Sequence, residues 1–539
     1  MAAGHWLDGA ALYQVYPLSF RDGNGDGWGD LAGVAAGLDH IAGLGVDGIW
    51  LSPFYISPLA DFGYDVADHK AVDPRLGDLA AFDRVVDKAH RLGLRVLLDL
   101  VIGHTSDRHP WFVESRAGKA GGKADWYVWA DPRPDGTPPT NWLSVFGGSA
   151  WSWEPRRRQY YLHHFLKQQP SLNLRDPCAL AAICDVARFW LERGVDGFRV
   201  DAVDHLMHDP LLRDNPPADP HPFDFPAKLF GMQVHAHDMV FGDVPPVLEA
   251  LRRVVDDYPG AVLLGELSSQ PGAGERIALY TRPGRLHTAY ALDLPKRPFT
   301  AQALRGALVA AADRGATCWS FSNHDVARAA SRWCPAGADP AQASALHALL
   351  LACLPGTVCV YQGEELGLTQ ADLPFEALRD PFGLAYWPEF PGRDGSRTPI
   401  PWTPAVPNGG FCPAESVPWL PLAADHLSKA VAVQDRRGGS PLATWRAAIA
   451  LRQKTEALRN GLLSSVDEDG PVLAFTRVGA KDRVACVFNL SAEPATYVLD
   501  EADGWTPIPL PRPPGGGEAA LAMDGTLTLP PLGAWLGRR

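Results

Sequence analysis

Eight short apolar runs rich in Val, Leu, Ile and aromatic residues punctuate the chain, and helix-like stretches fall between most of them. The runs are Ala11–Tyr16, Gly48–Leu51, Arg95–Ile102, Gly197–Val200, Ala261–Gly265, Thr288–Leu292, Cys318–Ser322 and Thr357–Tyr361. Residues 78–92 show the helical type. Asp78 is placed as an N-cap, Leu79, Phe82, Val86, Ala89 and Leu92 share one face, and Gly93 ends the helix. Strands alternating with amphipathic helices mean βα units and a parallel sheet. Eight such units close into a barrel, so the predicted fold class is α/β, a (β/α)8 TIM barrel.

Two long interruptions and a change of pattern divide the chain. Residues 1–102 form the first part of the barrel, and residues 103–177, rich in Trp, Pro and Gly, are long enough to be a small inserted domain. Residues 178–460 complete the barrel, with a loop-rich subdomain expected at about 369–425. From 461 to 539 short alternating runs such as VLAFTRV and VACVFNL read as an all-β C-terminal sandwich. Within it, PLPRPPGGGE reads as a surface loop.

Three of the strand-like runs place an ionisable residue where apolar sequence meets a loop: GFRVDAVDH (197–205), VLLGELSS (262–269) and SFSNHD (320–325). A carboxylate beside Val, Leu and Phe is costly unless it has a task or a partner. Three of them at the ends of different strands describe a site built on the C-terminal face of a barrel. Two carboxylates with a third helper are also the equipment of a glycosidase.

Charge and targeting signals exclude other classes. Lys+Arg 49 against Asp+Glu 62 gives a net charge of −13, which argues against a nucleic-acid partner. The N-terminal MAAGHWLDGA lacks a basic segment followed by an apolar one, and no run of about 18 apolar residues occurs, so neither a signal peptide nor a membrane partner is expected. The eight Cys form no CxxC pair and lie mostly in apolar segments, the pattern of buried free thiols in a reducing cytoplasm, although a disulfide pair stays open. A cytoplasmic monomer or homodimer is expected.

The motifs DLVIGHTS, QPSLN, GFRVDAVDH, LLGEL, FSNHD and YQGEELG occur in this order over most of the chain. In that order they make the chain resemble glycoside hydrolase family 13, the α-amylase family, and most closely its bacterial α-glucosidase and oligo-1,6-glucosidase branch. The resemblance implies the following roles. Asp201 is the nucleophile, Glu266 the general acid/base and Asp325 the third carboxylate, which holds sugar hydroxyls. Arg199 keeps Asp201 ionised, and Asp99 orients Arg199. The apolar neighbours Leu264 and Leu267 raise the pKa of Glu266. His104 and His324 bond the hydroxyls of the sugar in subsite −1, whose wall is made of Asp61, Tyr64 and Arg393. Tyr64 stacks on the sugar and Asp61 pairs with the arginine, a part that Arg397 could equally play.

The remaining expectations are finer. DGNGDGWGD (22–30) alternates oxygen-bearing residues with glycine and is predicted to hold one structural Ca2+ or Mg2+ through Asp22, Asn24, Asp26, Asp30 and the Trp28 carbonyl, with no organic cofactor. A solvated Gly/Asp turn is the plain alternative. Ala202, directly after Asp201, accompanies α-1,4 cleavage in this branch, whereas Val accompanies α-1,6 cleavage. Ser171 in QPSLN departs from the Asp typical of oligo-1,6-glucosidases. Phe146 and Phe165 are candidates for contact with the +1 sugar, and the segment Leu206–Pro245 is placed at the entrance. The implied activity is a retaining, exo-acting α-glucosidase working on maltose-like α-glucosides, with transfer to sugar or alcohol acceptors. A sucrose or trehalose hydrolase or an α-1,6-glucosidase stays open beside it, and so, remotely, does a non-enzymatic scaffold of the same fold. Retention implies Asp201 and Glu266 carboxyls about 5–5.5 Å apart.

Overall fold

The parallel sheet is ordered by eight strands in the computed structural model, which describes residues 5–219, 228–312, 316–468, 470–499, 504–511 and 516–539. They are β1 (Ala11–Val15), β2 (Gly48–Leu51), β3 (Arg95–Leu100), β4 (Gly197–Val200), β5 (Val262–Leu267), β6 (Thr288–Ala291), β7 (Cys318–Ser320) and β8 (Thr357–Tyr361). The hydrogen-bonded order is β6-β5-β4-β3-β2-β1-β8-β7, all parallel, and a parallel bridge between Ala289 and Thr317 brings the two edges together. A twisted sheet of eight strands whose first and last members meet is a barrel.

Both faces of every strand are covered, which is why these runs read as continuously apolar. Leu12, Trp50, Leu97, Val262, Leu264, Tyr290, Cys318 and Cys359 point into the barrel as one cluster. Val96, Leu98, Leu100, Phe198 and Leu263 belong to the cluster that packs outward against the helices. The helices following the strands in turn are α1 (Leu31–Ala42), α2 (Leu79–Arg91), α3 (Pro177–Glu192), α4 (Pro245–Asp256), α5 (Ala273–Tyr280), α6 (Ala301–Ala312), α7 (Pro340–Cys353) and α8 (Pro441–Lys454). As its sequence predicts, α2 is capped by Asp78, whose carboxylate accepts the Ala81 N–H at 2.6 Å, and Gly93 beyond it has a left-handed φ of 79°.

Three strands end two residues away from the sequence expectation. The third run stops at Leu100 and the seventh at Ser320, while β5 continues to Leu267 because Glu266 and Leu267 still pair with Tyr290 and Ala291. Glu266 therefore sits inside a strand rather than past its end, a stiffer mount than a loop gives.

Between β3 and α3 the chain forms a three-stranded antiparallel sheet (Trp129–Ala130, Trp151–Glu154, Gln159–Leu162). Beyond α8, a five-stranded and a three-stranded antiparallel sheet face each other across Val472, Ala474, Val487, Leu527, Leu529 and Trp535. Residues 220–227 of the expected entrance segment and 512–515 of the Pro/Gly stretch lie outside the described residues. All eight Cys are free; Cys178 is exposed in the first turn of α3 rather than buried, because it lies on the solvent side of that helix. Among the described residues no helix is long and apolar enough to cross a membrane.

Gly197 opens β4 with a φ of 139°, and a Cβ there would overlap the Val262 carbonyl of β5. Gly197→Ala is expected to cost about 2–4 kcal/mol of stability, since neither backbone can retreat within a closed sheet. Chemical denaturation of the two proteins checks this.

Candidate active site

Register places the inner charges. Arg199 on β4 is level with Asp99 on β3 and with Leu264 on β5, and Glu266 is level with Tyr290 two residues further along. Arg199, fully buried, meets several groups at once. Its Nη1 donates to Asp99 Oδ1 and Asp201 Oδ1, each at 2.6 Å, and its Nη2 lies 2.6 Å from Glu266 Oε2. Its Nε and Nη2 also point at the Tyr290 hydroxyl at 3.0 and 2.9 Å, and the guanidinium lies 4.8 Å from the Trp50 ring. The other oxygen of Asp99 accepts the Tyr64 hydroxyl at 2.9 Å and the Trp50 indole N–H at 3.2 Å.

Asp201 directly follows β4, and the next residue, Ala202, adopts a left-handed conformation with φ and ψ both 46°. That turn aims the Ala202 N–H at Glu266 Oε2, 3.1 Å away. Left-handed backbone is costly for β-branched residues, so a small side chain suits this position for a backbone reason besides the room it leaves.

A second cluster faces the first. Asp325 is held by Arg393 Nη1 at 3.1 Å, Arg397 Nη2 at 3.0 Å and His324 Nε2 at 3.2 Å. Both arginines thus reach this carboxylate, but only Arg393 also pairs with Asp61, at 2.7 Å, and with Asp380, at 2.7 Å. Arg397 instead donates from Nε to the His324 carbonyl at 2.7 Å. Tyr64 and His324 stack with ring centroids 5.1 Å apart and 1° between planes, and Gln14 donates to His324 Nδ1 at 2.8 Å. His104 Nε2 faces the Tyr64 carbonyl at 3.0 Å, and Gln169 joins His104 to Asp61.

Burial decides the proton affinities. It pushes Asp201 up to about 7, and the charges of Asp99 and Asp325 add to this against the pull of Arg199. Glu266 is likewise raised to about 7 by burial, against Arg199 and with Asp201 and Asp325 adding. Arg199 favours the ionised form of Asp201, but burial of three acids around a single guanidinium outweighs that charge. Burial also raises Asp325, but His324, Arg393 and Arg397 outweigh it and leave this carboxylate below the usual range. Desolvation lowers His104 to about 4 and His324 to about 3, so both imidazoles are neutral at physiological pH. Of Asp201, Glu266 and Asp325, the pocket therefore offers one firmly ionised carboxylate and two carboxyl groups that exchange protons near neutrality, with neutral imidazoles around them. It can deliver a proton and a carboxylate nucleophile to one substrate bond.

Other residues fall at the edges. Phe146 stacks on Phe382 at 3.9 Å, and the Arg393 guanidinium lies 5.2 and 5.1 Å from their rings. Phe165 packs between His104, at 5.1 Å, and His205, at 4.9 Å. The 22–30 loop lies apart: Asp22 accepts the N–H groups of Asn24, Gly25 and Gly27, Asp26 that of Trp28, and Asp30 caps α1 through Gly33. Its donors suit a hard cation, yet among the described residues no three His, Cys, Asp or Glu side chains are gathered to hold one. Sequence reasoning missed Tyr290, Trp50, Asp380, Gln14 and Gln169. Gln169 lies within the motif QPSLN and Tyr290 on a strand already singled out, so both carried a signal. Asp380 also caps the short helix Pro381–Tyr386 by accepting the Phe382 N–H.

The catalytic-domain model of the α-amylase family (Alpha amylase, catalytic domain) matches residues 14–461. A probable alpha-glucosidase of Rhizobium meliloti is 47% identical over 99% of this chain and 97% of its own length. An oligo-1,6-glucosidase of Heyndrickxia coagulans is 33% identical over 93% and 94%. The crystal structure of an alpha-glucosyl transfer enzyme, XgtA, superposes with a TM-score of 0.95 at 47% identity, covering 99% of this chain and 100% of that one.

The raised affinity of Glu266 has a stability consequence. A glutamate protonates near 4.5 when unfolded and near 7 here, so folding favours its protonated form and stability drains away as pH rises through that window. Glu266→Gln is expected to stabilise the protein at pH 8 by up to about 3 kcal/mol and to leave it unchanged near pH 4. Denaturant titrations at the two pH values measure this.

Proposed function

The chain belongs to the α-amylase family of glycoside hydrolases, and on that premise we propose that it is a retaining, exo-acting α-glucosidase cleaving α-1,4-linked glucose from short substrates. The observation that carries the mechanism is the bridge made by one guanidinium, with Arg199 within 2.6 Å of both Asp201 and Glu266. One guanidinium shared by both carboxyl groups draws them toward each other, which supports the close spacing of double displacement.

In this mechanism Glu266 gives its proton to the glycosidic oxygen while Asp201 attacks the anomeric carbon, forming a glycosyl ester. Glu266, now ionised, then takes a proton from water or from an acceptor hydroxyl as that oxygen displaces Asp201. Arg199 stabilises the charge that passes between the two carboxylates. Asp325, kept ionised by Arg393, Arg397 and His324, accepts hydroxyl groups of the sugar and favours its distorted ring. Neutral His104 and His324, whose single N–H groups meet the Tyr64 carbonyl and Asp325, line the space where further hydroxyls would sit.

The exo mode is supported by the buried, mutually bonded set of Asp61, Gln169, His104 and Arg393, which forms an end wall behind the inner sugar. The α-1,4 preference rests on Ala202 and its left-handed backbone. Transfer to acceptors is supported by the similarity to the alpha-glucosyl transfer enzyme. Initial products from maltose, isomaltose, sucrose, trehalose and soluble starch, followed by anomer-resolved NMR, test all of this. α-Glucose from maltose with little from isomaltose or starch is expected; β-glucose as the first product would end the retaining mechanism. Asp201→Asn is expected to lose about 10⁴-fold or more in kcat with an unchanged circular dichroism spectrum.

A divalent cation at 22–30 is a separate proposal, confined to stability. Asp22, Asn24, Asp26 and Asp30 with the Trp28 carbonyl would hold it, and it would have to draw them together. Millimolar Ca2+ or Mg2+ is expected to raise Tm by a few degrees and EDTA to reverse this. An identical Tm in both would leave the loop as a turn held by its own carboxylates.

A further inference from the structure

In the inner pocket every carboxylate named above has an arginine within hydrogen-bond reach. Asp99, Asp201 and Glu266 share Arg199, and Asp61, Asp325 and Asp380 share Arg393. Two ammonium groups at the rim have no carboxylate partner among the described residues. Lys228, on the segment after β4, holds its Nζ 4.1 Å from the Phe382 ring and 4.6 Å from the Phe390 ring. Phe382 in turn stacks on Phe146 and carries Arg393, so Lys228 stands one ring away from the guanidinium that fixes Asp325. Lys296, in the loop after β6, donates to the Ser269 hydroxyl at 2.8 Å, three residues beyond Glu266. The neighbouring carboxylate, Asp293, is taken by Arg297 at 2.7 Å.

Lys296 lies near enough to act on Lys228. Burial pushes the Lys228 ammonium down to about 8, and the charge of Lys296 is the next cause. A half-buried ammonium with aromatic faces and no counter-ion keeps part of its desolvation cost unpaid, and an anion between the two would relieve it.

Position identifies what such an anion belongs to. The inner sugar is enclosed by Asp61, Tyr64, His104 and His324, and Glu266 must face the glycosidic oxygen. The leaving group, or the acceptor that replaces it, therefore lies on the side where Lys296 and Lys228 stand. Resting on the glucosidase reading, we propose that the acceptor position is built for an anionic hydroxyl compound, its carboxylate or phosphate held between Lys228 and Lys296. In the transfer step the acceptor oxygen bonds to the anomeric carbon, the ester bond to Asp201 breaks, and the hydroxyl proton passes to Glu266.

The test is transfer of glucose from maltose to paired acceptors at low concentration. 4-Hydroxybenzoate is set against 4-hydroxybenzyl alcohol, and glucose 6-phosphate against glucose, so that the two anions are distinguished. We expect the charged member of at least one pair to be glucosylated about fivefold faster, and 0.5 M salt to shrink that ratio. In the Lys228→Met/Lys296→Met double variant the ratio is expected to fall to about one. Because the readout is a ratio within one protein, a general loss of activity does not move it, and the salt series on the unmodified enzyme gives the answer should the variant fail to fold. A ratio near one in the unmodified enzyme, or one that survives the double substitution, overturns the proposal: the lysines then merely balance the acidic pocket. Absence of any turnover of maltose would overturn the glucosidase reading with it, whereas normal maltose hydrolysis with no charge preference would sink this inference alone.

Discussion

One guanidinium organises the centre of this molecule. Arg199 is the only cation within hydrogen-bond reach of Asp99, Asp201 and Glu266 among the described residues, and all four groups are buried. Three carboxylates brought together without it would repel one another in a medium that screens poorly. With it, two of them remain raised to about 7, so the compensation is partial. Incomplete compensation is useful, because a carboxyl group poised near neutral pH can both give and take a proton. Stability is sacrificed at the place where reactivity is wanted.

The barrel makes that arrangement feasible. Parallel register sets Asp99, Arg199 and Leu264 at one height and Glu266 and Tyr290 at another, so the side chains converge without any loop having to hold them. The second cluster is different in kind. Asp380, Arg393 and Arg397 come from the irregular stretch after β8, and they are fixed by hydrogen bonds instead: Arg393 alone meets Asp61, Asp325 and Asp380. A rigid floor of strands thus carries Arg199 and Glu266, and a hydrogen-bonded wall of loop residues faces them.

The parts of the site differed in how legible they were. Asp201, Glu266 and Asp325 stood out because a charged residue in an apolar run is anomalous at the level of sequence alone. Tyr290 and Trp50 did not, since an aromatic residue in a strand is what any core contains. The choice between Arg393 and Arg397 was open for a geometric reason. Four residues apart in a stretch of loop and short helix, either could turn toward Asp325, and in the fold both do, while Asp61 meets only one of them. The net shift of Asp201 was illegible for a related reason: a neighbour in sequence shows one attractive charge, whereas burial and two further acids appear only in three dimensions.

The sequence by itself determined the barrel, the order of its motifs and the identity of the ionisable residues at its strand ends. Periodicity and local propensity are properties of neighbours along the chain, and they can be read there. Only the tertiary structure decided which charges pair, how far burial raises each carboxyl group, and that Lys228 and Lys296 are left over at the rim. Desolvation and Coulomb energies depend on distances between residues remote in sequence, such as Asp61 and Arg393, and no pattern along the chain encodes those distances.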